Sequence, residues 1–256
     1  MNDQEHRNEQ HLISRRGLLG SAAAVAAGAI APRHLLAGAG AKPNSVFNGV
    51  RIGAITYSYR GVETTAEGTL KAILASGLSE VELMNGPVDD YVGLSAGARG
   101  GAPRGGKGKG KGAQITDEQR QALRKQQDEQ LQKRLAVPMS KYQALRKMYN
   151  DAGVNIHIVK YPSIGAATMT DEEIDNCFQA AKALGAVGIT CELSEPIAKR
   201  LGPFADKHKI WIGFHNHTQL KPTTYDEGIL SYGKYLGINF DAGHYLARSE
   251  EHTSEL

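Results

Sequence analysis

Apolar residues recur along the chain with two periods in turn: short runs of strand length, each followed by a segment with helical spacing, from about Val50 to Ala247. The first run, Val50–Tyr59, offers Ile52, Ala54, Ile55 and Tyr57 for burial. Thr64–Ser76 then carries Leu70, Ile73 and Leu74 on one helical face and is stopped by Gly77. Glu80–Met84 is the second strand and ends at Asn85-Gly86-Pro87. Ser140–Asn150 sets Tyr142, Leu145, Met148 and Tyr149 at helical spacing. Val154–Lys160 is the third strand, and Asp171–Leu184 a helix that Thr170 caps and Gly185 stops. Ala186–Glu192 is the fourth strand. Glu195–His208 is a helix that Pro196 and Gly202-Pro203 shorten or divide into two pieces. Ile210–His217 is the fifth strand, Tyr225–Tyr235 a helix and Gly237–Asp241 the sixth strand. Strands alternating with helices predict an α/β fold with a parallel sheet covered by helices, whose chemistry collects at the carboxyl ends of the strands.

Two stretches fall outside this alternation. Ala96–Gly112 holds five basic residues, no acidic ones and eight glycines, so it cannot bury enough apolar surface to offset its ordering entropy; a solvated, disordered insertion is expected. Thr116-Asp117-Glu118 caps a polar surface helix that runs to about Ala136 and is broken by Pro138. Residues 1–41 read as an export signal: Ser14-Arg15-Arg16, then a modestly apolar Gly17–Ile30, then small-x-small cleavage candidates at Ala37-Gly38-Ala39 and Ala39-Gly40-Ala41. The segment resembles a twin-arginine signal, which implies a periplasmic or otherwise exported protein. Its apolar run is too short and weak for a stable membrane anchor, which needs about 18–20 strongly apolar residues.

At 256 residues the chain is long enough for one α/β barrel. The net charge of +3 comes largely from the Gly-rich insertion and does not identify a partner. Cys177 and Cys191 give no disulfide framework. An aromatic content of 6% suits a small polar ligand better than a stacking platform for nucleic acid. Oligomeric state is left open.

The strand ends present Glu82, Lys160, Glu192, His215-Asn216-His217 and Asp241 with His244. His215 and His217 share a parity on an extended strand, and Asp241 and His244 arrive from the next one, so imidazole and carboxylate donors meet on one rim. With no cysteine among them, such a set favours Zn, Mn, Co or Fe(II). Spacing leaves open which of them touch the metal. His157, mid-strand between Ile156 and Ile158, reads as a buried, satisfied histidine.

Arg51-Ile52-Gly53, Glu80-Val81-Glu82-Leu83, Phe214-His215-Asn216-His217 and Asn239-Phe240-Asp241-Ala242-Gly243-His244 together resemble the sugar phosphate isomerase/epimerase group of the xylose isomerase-like TIM barrels, over about Val50–Ala247. The resemblance implies a (β/α)8 barrel with a divalent metal at its mouth. The metal would polarise a small carbohydrate substrate while acid/base groups move a proton alpha to a carbonyl. By position Asp241 matches a family metal ligand, and His215 stands where many relatives carry a metal-binding Glu. The ligand set expected is His215, His217 and Asp241, with Glu192 and His244 as catalytic groups and Glu82, Lys160 and Asn216 toward the substrate.

About six of the eight βα units are legible, and the family's ligands on strands seven and eight have no counterpart, so the sequence reads as a truncated barrel without a complete active site. Arg248–Leu256 resembles the in-frame translation of a sequencing adapter, and on that reading His252 is not a ligand. Two other readings compete. An endonuclease IV-like phosphodiesterase of this fold would need more histidines on the second and third strands. A non-catalytic exported sugar-binding or partner subunit would keep the barrel and lose the chemistry.

Overall fold

The computed structural model describes residues 42–94, 116–217, 223–225 and 228–253. The signal-like segment 1–41 and the insertion 96–112 lie outside them. A two-residue hairpin, β1 (Val46–Phe47) and β2 (Val50–Arg51), leads into a sheet of six strands. These are β3 (Gly53–Ile55), β4 (Glu80–Met84), β5 (Asn155–Lys160), β6 (Gly188–Glu192), β7 (Trp211–His215) and β8 (Leu236–Asn239), paired in sequence order and all parallel. Unbroken sequence order has no switch point, which a doubly wound sheet requires, and it describes an arc of a (β/α)8 barrel.

Alternation along the strands explains the layering. Val81 and Leu83, Ile156 and Val159, Ile189 and Cys191, and Ile212 and Phe214 all point outward and are buried beneath the helices. The helices are α1 (Ala66–Ala75), α2 (Asn85–Val92), α3 (Asp117–Leu135), α4 (Met139–Asp151), α5 (Asp171–Leu184), α6 (Glu195–His208) and α7 (Ala242–Thr253). Tyr142, Leu145 and Tyr149 of α4, and Ile174, Phe178, Ala181 and Leu184 of α5, complete this core. Each such large apolar side chain contributes about 1.5–3 kcal/mol on burial. Thr170 caps α5 by accepting from the Glu173 N–H, and Gly185 stops it at φ +79°. The polar α3 opens on a reciprocal capping box between Thr116 and Gln119 and docks at its far end, where Arg134 grips the Asp89 carboxylate at 2.9 and 3.2 Å.

Four expectations need correction. The run Val50–Tyr59 is not one strand but hairpin, short strand and a 3-10 turn (Thr56–Tyr59), with Ile52 and Tyr57 exposed. The hairpin turns at Asn48-Gly49, both at positive φ. The helix α6 is continuous through Pro203 because Ala198, Leu201 and Ala205 keep its buried stripe. Gly202 lets it approach the next segment closely, since a Cβ there would lie 2.0 Å from the Tyr232 carbonyl oxygen. The helix expected over Tyr225–Tyr235 is, among the described residues, a 3-10 turn at Ile229–Tyr232 that follows Gly228 at φ +83°. His157 is half-buried, because the β4–β5 register shifts between Val81 and Glu82 and leaves it as the extra residue between Ile156 and Ile158. Among the described residues no helix is long and apolar enough to cross a membrane.

Candidate functional site

The inward parity of the sheet, opposite the helix-covered core, carries the polar residues: Glu80 and Glu82 on β4, Lys160 on β5, Thr190 and Glu192 on β6, His215 on β7 and Asn239 on β8. At the carboxyl rim, His215 and His217 leave the end of β7, and His244 projects from the first turn of α7. Their ligating nitrogens all lie within 4.8 Å of one another. His217 Nδ1 and His244 Nε2 are 3.3 Å apart. Tetrahedral Zn–N bonds of about 2.0–2.1 Å place two donors at about that separation. Burial first, then the charge of Lys160, lowers His215 below the usual imidazole value, which leaves its ring neutral and able to offer a lone pair.

Glu192 joins this cluster from the neighbouring strand. Its Oε1 lies 3.3 Å from Lys160 Nζ and its Oε2 2.8 Å from His217 Nε2. The second approach is close but off the hydrogen-bond direction, so Oε2 is a buried carboxylate oxygen that accepts no hydrogen bond. Lys160 is buried at 7% exposure. Glu82 sits one pleat deeper and accepts a 2.5 Å hydrogen bond from Thr190 Oγ1. Burial pushes the Glu82 carboxyl above the ordinary glutamate value, against the opposing pulls of the Thr190 hydrogen bond and the Lys160 charge.

Two expected site residues are engaged in other ways. Asn216 is fully buried, and both ends of its amide are taken by one backbone: Nδ2 donates to the Asp241 carbonyl at 3.0 Å and Oδ1 accepts from the Asp241 N–H at 2.7 Å. It ties the end of β7 to the end of β8 and presents no polar atom to a substrate, which corrects its expected role. Asp241 accepts from the His244 N–H through Oδ1 at 2.9 Å, and its Oδ2 lies 3.9 Å from His244 Nε2. That backbone hydrogen bond is the main reason its carboxyl lies below the usual aspartate value. The structure therefore gathers His215, His217, His244, Glu192, Lys160 and Glu82, with Asp241 Oδ2 3.9 Å from the same His244 nitrogen that faces His217. Thr190 escaped sequence reasoning, although it shares the inward parity of Glu192 and that parity was its signal.

No family model matches the chain, and no curated protein matches it. Among solved structures it is similar to the probable 3-DHS dehydratase AsbF, involved in petrobactin synthesis, from Bacillus anthracis, at 12% identity and TM-score 0.48, over 78% of this chain and 66% of that one. It is also similar to an uncharacterized protein from Parabacteroides distasonis, at 16% identity and TM-score 0.39, over 65% of this chain and 53% of the other. A morphinone reductase mutant in complex with tetrahydroNAD matches at 18% identity and TM-score 0.30, over 45% of this chain and 42% of its own. The chain thus spans less than two thirds of the length of each.

Proposed function

We propose that this protein is a divalent-metal-dependent enzyme of the sugar isomerase/epimerase kind, acting on a small carbohydrate by proton transfer alpha to a carbonyl. The observation that carries this reading is the convergence of three imidazoles with a buried carboxylate oxygen, 2.8 Å from one of them, at the carboxyl ends of parallel strands. The donor set fits Zn, Mn, Co or Fe(II), with His215, His217 and His244 as the nitrogen ligands. Asp241, expected among the ligands from its sequence position, keeps Oδ2 on the cluster side, 3.9 Å from His244 Nε2, while its Oδ1 accepts from the His244 backbone N–H. When bound, such a cation polarises the carbonyl and hydroxyl of the substrate. Glu192 is the acid/base group, and Lys160 holds one of its oxygens, leaving the other turned toward the cluster.

Full-length chain stripped with a chelator and titrated with Co2+ tests this reading through the visible ligand-field bands and calorimetry. One ion per chain is expected, with binding abolished in His215→Ala. A chain that takes up no Co2+, Mn2+ or Zn2+ refutes the proposal.

A further inference from the structure

Behind the sheet, at the carboxyl end of β5, lies a cavity of about 170 Å³ that the imidazole cluster does not use. Tyr161 follows Lys160, and its backbone N–H still donates to the Thr190 carbonyl at 3.1 Å, so its ring turns to the side opposite Lys160 and enters the helical layer. The residue is buried at 6% exposure and lines the cavity, yet its hydroxyl has no hydrogen-bond partner among the described residues. Burial pushes this phenol well above its ordinary value and the neighbouring Cys177 thiol up to about 12, so both stay protonated, and the phenol is a buried donor without an acceptor. Arg134 commits two of its N–H groups to Asp89 and borders the same cavity, which leaves further donors in that wall. Glu173, on the first turn of α5, supplies an acceptor, and Ile164, Met169 and Cys177 an apolar wall. A cavity of about 150 Å³ holds benzene, so a molecule of about six to eight non-hydrogen atoms has room here.

From this arrangement we propose a second ligand site, on the helix side of the sheet, for a small uncharged polyol: one hydroxyl accepts from Tyr161, another donates to Glu173, and the C–H face of the molecule lies against Met169 and Ile164. A hydroxyl both accepts and donates, which is what a phenol on one part of the wall and a carboxylate on another require. The Arg134 charge is compensated by Asp89 and Glu173 adds a negative one, so the walls offer an anion no net attraction. The inference does not depend on the metal reading above, since none of these side chains belongs to the imidazole cluster.

The test uses the full-length chain labelled with 13C-methyl methionine, stripped of metal with a chelator and titrated with erythritol, and with succinate as an anionic counterpart. The Met169 methyl reports on this cavity, and Met84, whose register partner is Lys160, reports on the barrel interior. Erythritol is expected to shift the Met169 signal saturably while Met84 stays in place. Tyr161→Phe, which removes the hydroxyl and keeps the ring, is expected to weaken this binding about tenfold, with no loss of thermal stability because the hydroxyl has no hydrogen bond to lose. Glu173→Ala, which removes the acceptor, gives the same loss of binding should the phenylalanine variant not fold. A Met169 signal that erythritol leaves unmoved overturns the site, and so does one that moves equally in wild type and both variants. Movement of Met84 alone puts the polyol in the barrel interior and overturns it as well. Movement of Met169 with succinate and not with erythritol overturns the ligand class.

Discussion

Glu80 and Glu82 stand two residues apart on one strand, on the same inward side, and have opposite surroundings. Glu80, at the amino end, is 5% exposed and its carboxylate is enclosed by fixed donors: Arg51 Nη1 at 2.7 Å and Asn155 Nδ2 at 2.9 Å. Glu82, nearer the carboxyl end, has one hydroxyl donor and a raised pKa, and beyond it Glu192 has an oxygen with no hydrogen bond at all. Burial of a charge is tolerated where partners complete it, and an incomplete set is a candidate for work on a ligand. The amino end of the sheet is therefore a closed structural network, and the carboxyl end an incomplete one.

Three substitutions sharpen or break this contrast. The largest effect is expected at the rim: His217→Ala should lower Co2+ affinity by more than about 100-fold, since even residues that only orient ligands cost about 10–100-fold. Its unfolding free energy should stay within about 0.5 kcal/mol of wild type, because the side chain is half-exposed. Urea unfolding and metal titration of the same sample check both halves. At the other end, Glu80→Ala should cost about 1–3 kcal/mol by leaving the Asn155 amide without its acceptor. Co2+ affinity should then change by no more than about twofold, as befits distant sites. A variant in which the two readouts move together would erase the distinction.

The smallest effect is a control on the helical layer. Burial alone would raise the Asp175 carboxyl, but hydrogen bonds from Lys207, His208 and Gln179 reverse this and hold it well below the usual aspartate value. A depressed carboxylate contributes stability above its unfolded pKa of about 3.9 and loses that contribution as pH falls toward its folded value. Asp175→Asn should therefore flatten the loss of stability below about pH 4 while Co2+ binding at neutral pH stays unchanged. Acid titration followed by circular dichroism measures the slope; an unaltered acid limb would show that the hydrogen bonds carry no linkage.

The outward face of the sheet was legible because burial enforces a strict period. The apolar positions of β4 to β7, and the cap and stop of α5 at Thr170 and Gly185, follow from the sequence with few errors. Val50–Tyr59 was misread because an apolar run carries no mark of where pairing changes, although Asn48-Gly49 just before it is a hairpin signal. His157 was misplaced because a bulge is set by the partner strand and not by the residue itself. At the site, parity set His215 and His217 on one face and strand ends marked Glu192 and Lys160. Spacing could not reveal that the amide of Asn216 is taken up by the Asp241 backbone, or that a helix starting at Ala242 draws Asp241 into a cap and sets His244 beside His217.

The double hydrogen bond between Asn216 and the Asp241 backbone has a thermodynamic corollary. One immobile amide pins the exit of β7 to the exit of β8, so the spacing between the His215–His217 pair and His244 is set during folding. On the proposed reading, an ion held by the three rings would meet donors already in place, with little chain entropy left to remove and no conformational rearrangement to await.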